Sequence, residues 1–112
     1  MSQEVLLKIY GHIWPAGPDL HEALLTACAD ALPAEELSVT LDGDLCRLSF
    51  EGVYFPLQEC LAVLQEGIRP EHQGKLDVLD LEAWQLTRHQ FVAGRIETSS
   101  APLNNVLAYS GH

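Results

Sequence analysis

The sequence predicts an α+β domain with a ferredoxin-like (split βαβ) plan, in which an antiparallel sheet packs two helices on one face. Several short segments alternate apolar and polar side chains, which is the period of a half-buried strand. Two other segments repeat apolar residues at helical spacing. In chain order the segments read β-α-β-β-α-β, followed by a strand pair and a short terminal helix. The 112 residues have the length of one domain.

The first strand is predicted at residues 5–10, because apolar residues occupy the alternate positions there. The two glycines and two prolines of residues 11–18 predict a loop. Asp19 is typical of a helix N-cap, and Pro33 cannot continue a helix. We therefore expect the first helix over residues 19–32.

The next two strands, residues 37–41 and 45–50, flank an Asp-Gly pair that is typical of a hairpin turn. We expect a two-residue loop at residues 42–43, which pairs Val39 with Cys46. In this register the apolar residues of both strands share one face, whereas a three-residue loop would break that face.

The second helix is predicted at residues 56–67, because Pro56 suits a first helical position and Gly67 suits a helix end. Its apolar stripe is narrow, with polar residues opposite, so we expect one buried side. The members of the stripe are Leu57, Cys60, Leu61, Leu64 and Ile68, with Leu61 in the middle.

Three further strands are predicted near residues 75–81, 84–92 and 95–98, from their content of apolar and β-branched residues and from the turn signals between them. We expect Asp80 to cap the turn after the first of these strands. In the alternative, the strand continues regularly and one of Asp77 and Asp80 points toward the helices, where burial would raise its pKa unless it is paired. A short helix is predicted from Ser100 onward, because a cap, a proline and helically spaced apolar residues follow one another there.

The net charge is −10, from 16 acidic and 6 basic residues. An acidic field repels phosphate groups, so we do not expect direct binding of nucleic acid. The sequence has no apolar stretch of membrane-spanning length and no secretory signal at its N-terminus, so we expect no membrane association. Together these features predict a small acidic soluble protein of the cytoplasm.

Three cysteines, Cys28, Cys46 and Cys60, lack the C-x-x-C spacing of redox or metal sites and fall on or beside apolar stripes. They predict free, buried thiols, which suit a reducing cytoplasm. The sequence also lacks the common phosphate-cradling, nucleophile-elbow and zinc-protease motifs. We therefore expect no cofactor and no bound metal, although these absences exclude only the families that those motifs mark.

The best candidates for ligand binding are His12, Trp14 and His21. His12 and Trp14 lie in the predicted loop, and His21 lies at the start of the predicted helix. A loop that enters a helix can bind an anion through free backbone N–H groups, but Asp19 and Glu22 place negative charge at this helix start. A metal would need further ligands, which the local sequence does not supply.

A possible interface is predicted on the first helix at Leu25, Cys28 and Leu32, on a flank that a two-layer domain need not cover. Three covers are open: the C-terminal segment of residues 102–109, a second copy of the chain in a homodimer, or a different protein partner. The net charge of −10 opposes the close approach of two copies.

Two functional hypotheses follow from the sequence. The leading one is a non-catalytic binding module or small assembly subunit, because the residues are used for core, turns and caps and no set of reactive side chains emerges. The alternative is a small enzyme or ligand-binding protein that uses the 11–18 loop with His12 and His21. A ferredoxin-like fold does not decide between them, because such domains have many unrelated activities.

Overall fold

A computed structural model of the chain describes residues 5–103. It is an α+β domain with one antiparallel sheet of six strands and two helices, so the predicted fold class is confirmed at that level. The elements in chain order are β1 (Leu7–Trp14), α1 (Pro18–Ala27), a short 3-10 helix (Ala34–Glu36), β2 (Ser38–Asp42), β3 (Leu45–Gly52), α2 (Leu57–Gly67), β4 (Gln73–Asp80), β5 (Gln85–Val92) and β6 (Arg95–Pro102).

The strands are ordered β2-β3-β1-β4-β5-β6 across the sheet. β1 is paired on one edge with β3 and on the other with β4. The hairpin of β5 and β6 extends the sheet beyond β4, so β2 and β6 are its edges among the described residues. β1 therefore lies well inside the sheet, and its side chains have neighbours on both sides.

The two faces of the sheet differ in what covers them. Ile9 of β1 lies opposite Phe50 of β3 and Val78 of β4, so these three side chains point to the same side. Leu24 of α1 and Cys60 of α2 belong to the same buried cluster, which places both helices on that side. We call the other side the open face, and β1 presents there Lys8, Tyr10, His12 and Trp14.

Both helices are short, and each buries one side. α1 buries Leu24, and α2 buries Cys60 and Leu64. Leu61, the predicted middle of the α2 stripe, is only partly buried, because the side of α2 that faces the sheet is centred on Cys60 and Leu64. Among residues 5–103, neither helix is long and apolar enough to cross a membrane.

The three cysteines are free and buried in the core, as predicted. Cys28 follows α1, Cys46 lies on β3 and Cys60 lies on α2. Burial raises the pKa of the Cys46 thiol. The pKa of the Cys60 thiol is raised by its contact with Cys28 and by burial, so the Cys60 thiol stays protonated at neutral pH.

The predicted loop at residues 11–18 is wrong over its first half. β1 continues through Trp14, and only residues 15–17 connect it to α1. Gly11 lies inside β1 and does not mark a turn. A Cβ atom there would lie only 2.7 Å from Leu76 Cδ1 and 2.8 Å from the Lys75 carbonyl oxygen. Glycine at this position permits the close approach of β4.

The first helix ends earlier than the sequence predicts, at Ala27 and not near Leu32. The backbone of Leu32 pairs instead with the segment after β3. The Leu32 N–H group donates to the Tyr54 carbonyl oxygen at 2.9 Å, and the Val53 N–H group donates to the Leu32 carbonyl oxygen at 2.9 Å. This tertiary pairing replaces the last helical turn that local propensity favours.

The turn between β2 and β3 lies at residues 43–44, one position later than predicted, with Gly43 at φ +64°. Val39 consequently pairs with Leu48, and Leu41 pairs with Cys46. The observed register differs from the predicted one by two residues. A shift of two keeps every side chain on its predicted face, so the apolar face is preserved.

The start of the predicted terminal helix is wrong, because residues 100–102 belong to β6, which pairs with β5 along its length. The remainder of that predicted helix lies outside the described residues. Asp80 does cap the turn after β4, as predicted. Its Oδ1 atom accepts the backbone N–H groups of Glu82 at 3.1 Å and Ala83 at 3.0 Å.

The packing of α2 gives a first prediction. Leu64 is 3% exposed, and Gln65 beside it is exposed. Leu64→Ala should lower the free energy of unfolding by about 2–5 kcal/mol, since it removes buried methyl groups and leaves a cavity. Gln65→Ala should change it by less than about 0.5 kcal/mol. Urea unfolding checks this. Equal losses of unfolding free energy in the two variants would contradict the observed orientation of α2, in which Leu64 faces the core and Gln65 faces away from it.

Candidate functional site

The basic residues of the chain are gathered on the open face. The sequence contains six lysines and arginines, and strand register places five of them on this face with four acidic residues. The rest of the sequence has one base, Arg69, against twelve acids. The five bases are Lys8, Arg47, Lys75, Arg88 and Arg95, and the four acids are Asp42, Glu51, Asp77 and Glu97.

Three basic side chains stand next to one another near the centre of the open face. Arg47 on β3 lies opposite His12 on β1, and His12 lies opposite Lys75 on β4. Residues opposed in this way have Cα atoms about 4.5–5.5 Å apart. We call Arg47, His12 and Lys75 the cationic row. Thr40 on β2 and Gln90 on β5 continue it at either end with uncharged hydrogen-bonding groups.

The cationic row is only partly neutralised by its neighbours. Lys75 Nζ lies 3.4 Å from an Asp77 carboxylate oxygen, but no side chain within residues 5–103 forms a hydrogen bond or ion pair with the Arg47 or His12 side chain. The row therefore presents an open guanidinium, an imidazole and a partly paired ammonium to an anion.

Asp77 follows Lys75 by two residues on β4, on the same face, and its carboxylate is already paired. Its two carboxylate oxygens accept from Arg88 Nε at 2.8 Å and Arg88 Nη2 at 3.0 Å. Burial alone would raise the pKa of Asp77, but the hydrogen bonds and charges of Arg88 and Lys75 outweigh burial and lower it. Asp77 therefore stays ionised at neutral pH, and it helps to position Lys75.

Two exposed aromatic residues flank His12 along β1. Tyr10 is 38% exposed and Trp14 is 43% exposed. The Tyr10 hydroxyl donates to a Glu51 carboxylate oxygen, and Trp14 Nε1 donates to Asp44 Oδ1 at 3.0 Å. Partial burial and the bond to Glu51 raise the pKa of Tyr10 to about 12, so its phenol is neutral at pH 7. Each ring is thereby held at its polar end, with apolar surface left open.

A shallow hollow in the open face brings these groups together. We call it the row hollow. Its polar lining comes from all three members of the cationic row and from the neighbouring positions of β1, β3 and β4. These lining residues are Tyr10, His12, Arg47, Ser49, Lys75 and Asp77. Guanidinium, imidazole, ammonium and hydroxyl groups can all donate hydrogen bonds, so the hollow can hold an anion.

The structure places two of the predicted ligand-binding residues together and the third elsewhere. His12 and Trp14 both lie on the open face of β1. His21 lies on α1, on the other side of the sheet, where its Nε2 atom is 2.9 Å from the Val39 carbonyl oxygen and links α1 to β2. His12 and His21 therefore do not share one site. Arg47 and Lys75, which the sequence did not single out, join His12 instead.

The predicted interface residues Leu25, Cys28 and Leu32 do not form one exposed surface. Cys28 is fully buried, and Leu25 is partly buried against the core. Leu32 is 54% exposed and lies beside the exposed side chains of Val53 and Tyr54. Contact with a second copy or another protein at this end of the molecule stays a prediction.

His89 of β5 is the main buried polar residue on the helix side of the sheet. Its side chain is on the same face as Leu76, and its Nδ1 atom is 2.9 Å from Thr98 Oγ1. Its Nε2 atom is buried and has no hydrogen-bond partner within the described part of the chain. Burial lowers the pKa of His89, although the charge of Asp77 acts in the opposite direction.

Comparisons of the chain with protein-family models, with curated proteins and with solved structures found no match. Within residues 5–103, no three His, Cys, Asp or Glu side chains are placed to hold a metal ion. A proposal for the function therefore rests on the hydrogen-bond donor groups of the open face.

The pairing of Asp77 predicts a difference between two arginine variants. Arg88→Gln should lower the free energy of unfolding by about 1–3 kcal/mol, because it leaves the largely buried Asp77 carboxylate without its two hydrogen bonds. Arg47→Gln removes the same charge from the same face but breaks no such bond, so it should change stability by less than about 0.5 kcal/mol. Urea unfolding at pH 7 measures both. A tolerated Arg88→Gln would contradict the role given to the pair.

His89 predicts a loss of stability in mild acid. Its folded pKa lies below the unfolded value of about 6.5, so its contribution is complete above that pH and is lost as the pH falls toward the folded value. Between pH 6.5 and 5.5, unfolding experiments should show a steeper loss for the native chain than for His89→Gln, by at most about 1.4 kcal/mol per pH unit. Above pH 7.5 the two curves should run parallel. Equal slopes throughout would contradict the burial of a neutral His89.

Proposed function

We propose that this protein is a non-catalytic binding module that holds an anionic group of its partner on the open face of the sheet. The observation that supports this most directly is the cationic row of Arg47, His12 and Lys75. Arg47 has no acidic or hydrogen-bonding partner within residues 5–103, and Lys75 lines the same hollow on the other side of His12, so a bound anion can supply a counter-charge to both.

The strongly negative net charge does not oppose this proposal at short range. Charges farther away than about 8 Å are largely screened at physiological ionic strength. An anion in the row hollow lies among Arg47, Lys75 and His12, and the acid that lines the hollow, Asp77, is neutralised by Arg88. Most acids belong to the helices, turns and loops. The local field of the hollow therefore attracts an anion that the whole molecule would repel at long range.

We also propose that β1 to β4 with α1 and α2 form a ferredoxin-like unit, to which β5 and β6 add a hairpin. The strand order β2-β3-β1-β4 supports this, since β3 lies between β1 and β2 as a split βαβ requires. In such a unit the helices cover one face only, which leaves the other face free for a partner. Three free, buried thiols support a reducing, cytoplasmic setting.

The alternative of a small enzyme or ligand-binding site built on His12 and His21 has less support. The two imidazoles lie on opposite sides of the sheet, and His21 Nε2 is already bonded to the Val39 backbone. His12 is better explained as a member of the cationic row. A binding function for the open face involves His12 and Trp14, together with the basic residues that β3 and β4 place beside His12.

The proposal is tested by nuclear magnetic resonance, with citrate as a small multivalent anion and the ionic strength held constant. Citrate should shift the backbone amide signals around Arg47, His12 and Lys75 and leave those of α1 and α2 unchanged. Arg47→Gln should weaken this binding several-fold, because a charge-assisted hydrogen bond is lost. Arg69→Gln is the matched control, since it removes the one base outside the open face and causes the same change in net charge.

Equal weakening by the two variants would mean that citrate responds to net charge alone, and the open-face site would be rejected. Shifts confined to α1 or α2 would also reject it. Lysine amide of opposite charge serves as a second control, because it should not shift the signals of the cationic row.

A further inference from the structure

Resting on the proposed function, we propose that the anion bound in the row hollow is a phosphoryl group, presented by a small phosphate monoester. The proposal names the chemical class of the ligand at the same site. It depends on the number of charges in the cationic row, on the geometry of their donors, and on the aromatic rings beside them. The first two favour phosphate over a carboxylate, and the rings indicate what is attached to the phosphate.

The number of charges matches a dianion. Arg47 and Lys75 each contribute one formal positive charge and flank His12 on adjacent strands. A phosphate monoester has a charge of about −1.5 to −2 at pH 7 on a single compact group. A single carboxylate, with one negative charge, would leave one of the two cations without a counter-charge. A phosphoryl group placed over His12 neutralises both.

The donors are also close enough to share one compact acceptor. Arg47 and Lys75 occupy the strands on either side of His12, and all three line the same hollow. The guanidinium of Arg47 can donate two parallel hydrogen bonds, the geometry that suits phosphate oxygens. Ser49 lines the same hollow and adds a hydroxyl donor. A phosphoryl group has three terminal oxygens, enough to accept from guanidinium, ammonium and hydroxyl together.

Asp77 improves the site, although it is an acid in the lining. Its carboxylate oxygens are bonded to Arg88 at 2.8 and 3.0 Å, and one of them lies 3.4 Å from Lys75 Nζ. The pair with Arg88 neutralises the carboxylate. The contact with Lys75 restrains a long, flexible side chain near the hollow, which reduces the entropy lost when Lys75 binds a ligand.

The rings of Tyr10 and Trp14 indicate where the rest of the ligand lies. Both are exposed on the open face at the two positions of β1 that flank His12, and both are held at their polar ends by carboxylates. A planar group attached to the phosphate can stack on either ring. A phosphate monoester with a planar group should therefore bind more tightly than inorganic phosphate.

The test uses the full chain and four probes at pH 7 and constant ionic strength: inorganic phosphate, malonate, phosphoserine and a nucleoside 5′-monophosphate. Amide shifts in β1, β3 and β4 give each dissociation constant. Inorganic phosphate should bind with a constant on the order of 1 mM, and malonate, a dicarboxylate of similar charge, should bind at least about fivefold more weakly. Arg47→Gln should weaken phosphate binding at least about tenfold, and Arg69→Gln less than twofold.

The two monoesters distinguish the sources of the phosphoryl group. Tighter binding of the nucleoside monophosphate than of phosphoserine, lost in Trp14→Leu or Tyr10→Leu, supports a planar ligand stacked on that ring. Equal binding of the two supports recognition of the phosphoryl group alone, and the part of the proposal that concerns the rings is then overturned. The unphosphorylated nucleoside is the control, and it should not bind.

The outcomes also separate this inference from the proposed function. Malonate binding as tightly as phosphate, with shifts at the cationic row, would overturn the phosphoryl inference and leave an anion-binding open face. If neither the four probes nor citrate shifts the signals of the row, the inference and the proposed function both fail.

Discussion

The pairing of β1 on both of its edges is the constraint on which the rest of the structure depends. Because β3 and β4 hold β1 from either side, alternate residues of this one strand are committed to opposite environments. Ile9 and Ile13 enter the core beneath the helices, while His12, between the same two strands, points away from it. The hydrophobic core and the cationic row therefore lie on opposite faces of the same three hydrogen-bonded strands.

Local patterns in the sequence predicted much of this architecture, and long-range contacts explain what they missed. The alternation in β3 and the apolar stripe of α2 were visible, because each lies within a few neighbouring residues. Gly11 was misread as a turn, since its reason is the close approach of β4, more than sixty residues later in the sequence. The last turn predicted for α1 does not form, again because of a contact distant in sequence: the backbone of Leu32 pairs with that of Tyr54.

The cationic row could not be found from the sequence for the same physical reason. Its members come from three strands, and they meet only when the registers of β1 with β3 and of β1 with β4 are both known. Arg47 and Lys75 each look like an ordinary solvent-facing residue of a half-buried strand. His12 was singled out from its local context, but it was paired in the prediction with His21, which the sheet separates from it. Proximity in sequence was a poor guide to proximity in space here.

The uneven distribution of charge over the molecule affects how an anionic partner approaches it. Five of the six bases lie on the open face, whereas twelve of the sixteen acids lie elsewhere in the sequence, so the potential is least negative over the open face. The net charge of −10 repels an anion at long range from any direction, but the repulsion is weakest over the open face, so an anion is turned toward that face before contact. Added salt should therefore speed the encounter with an anionic partner, because it screens the long-range repulsion by the net charge of −10.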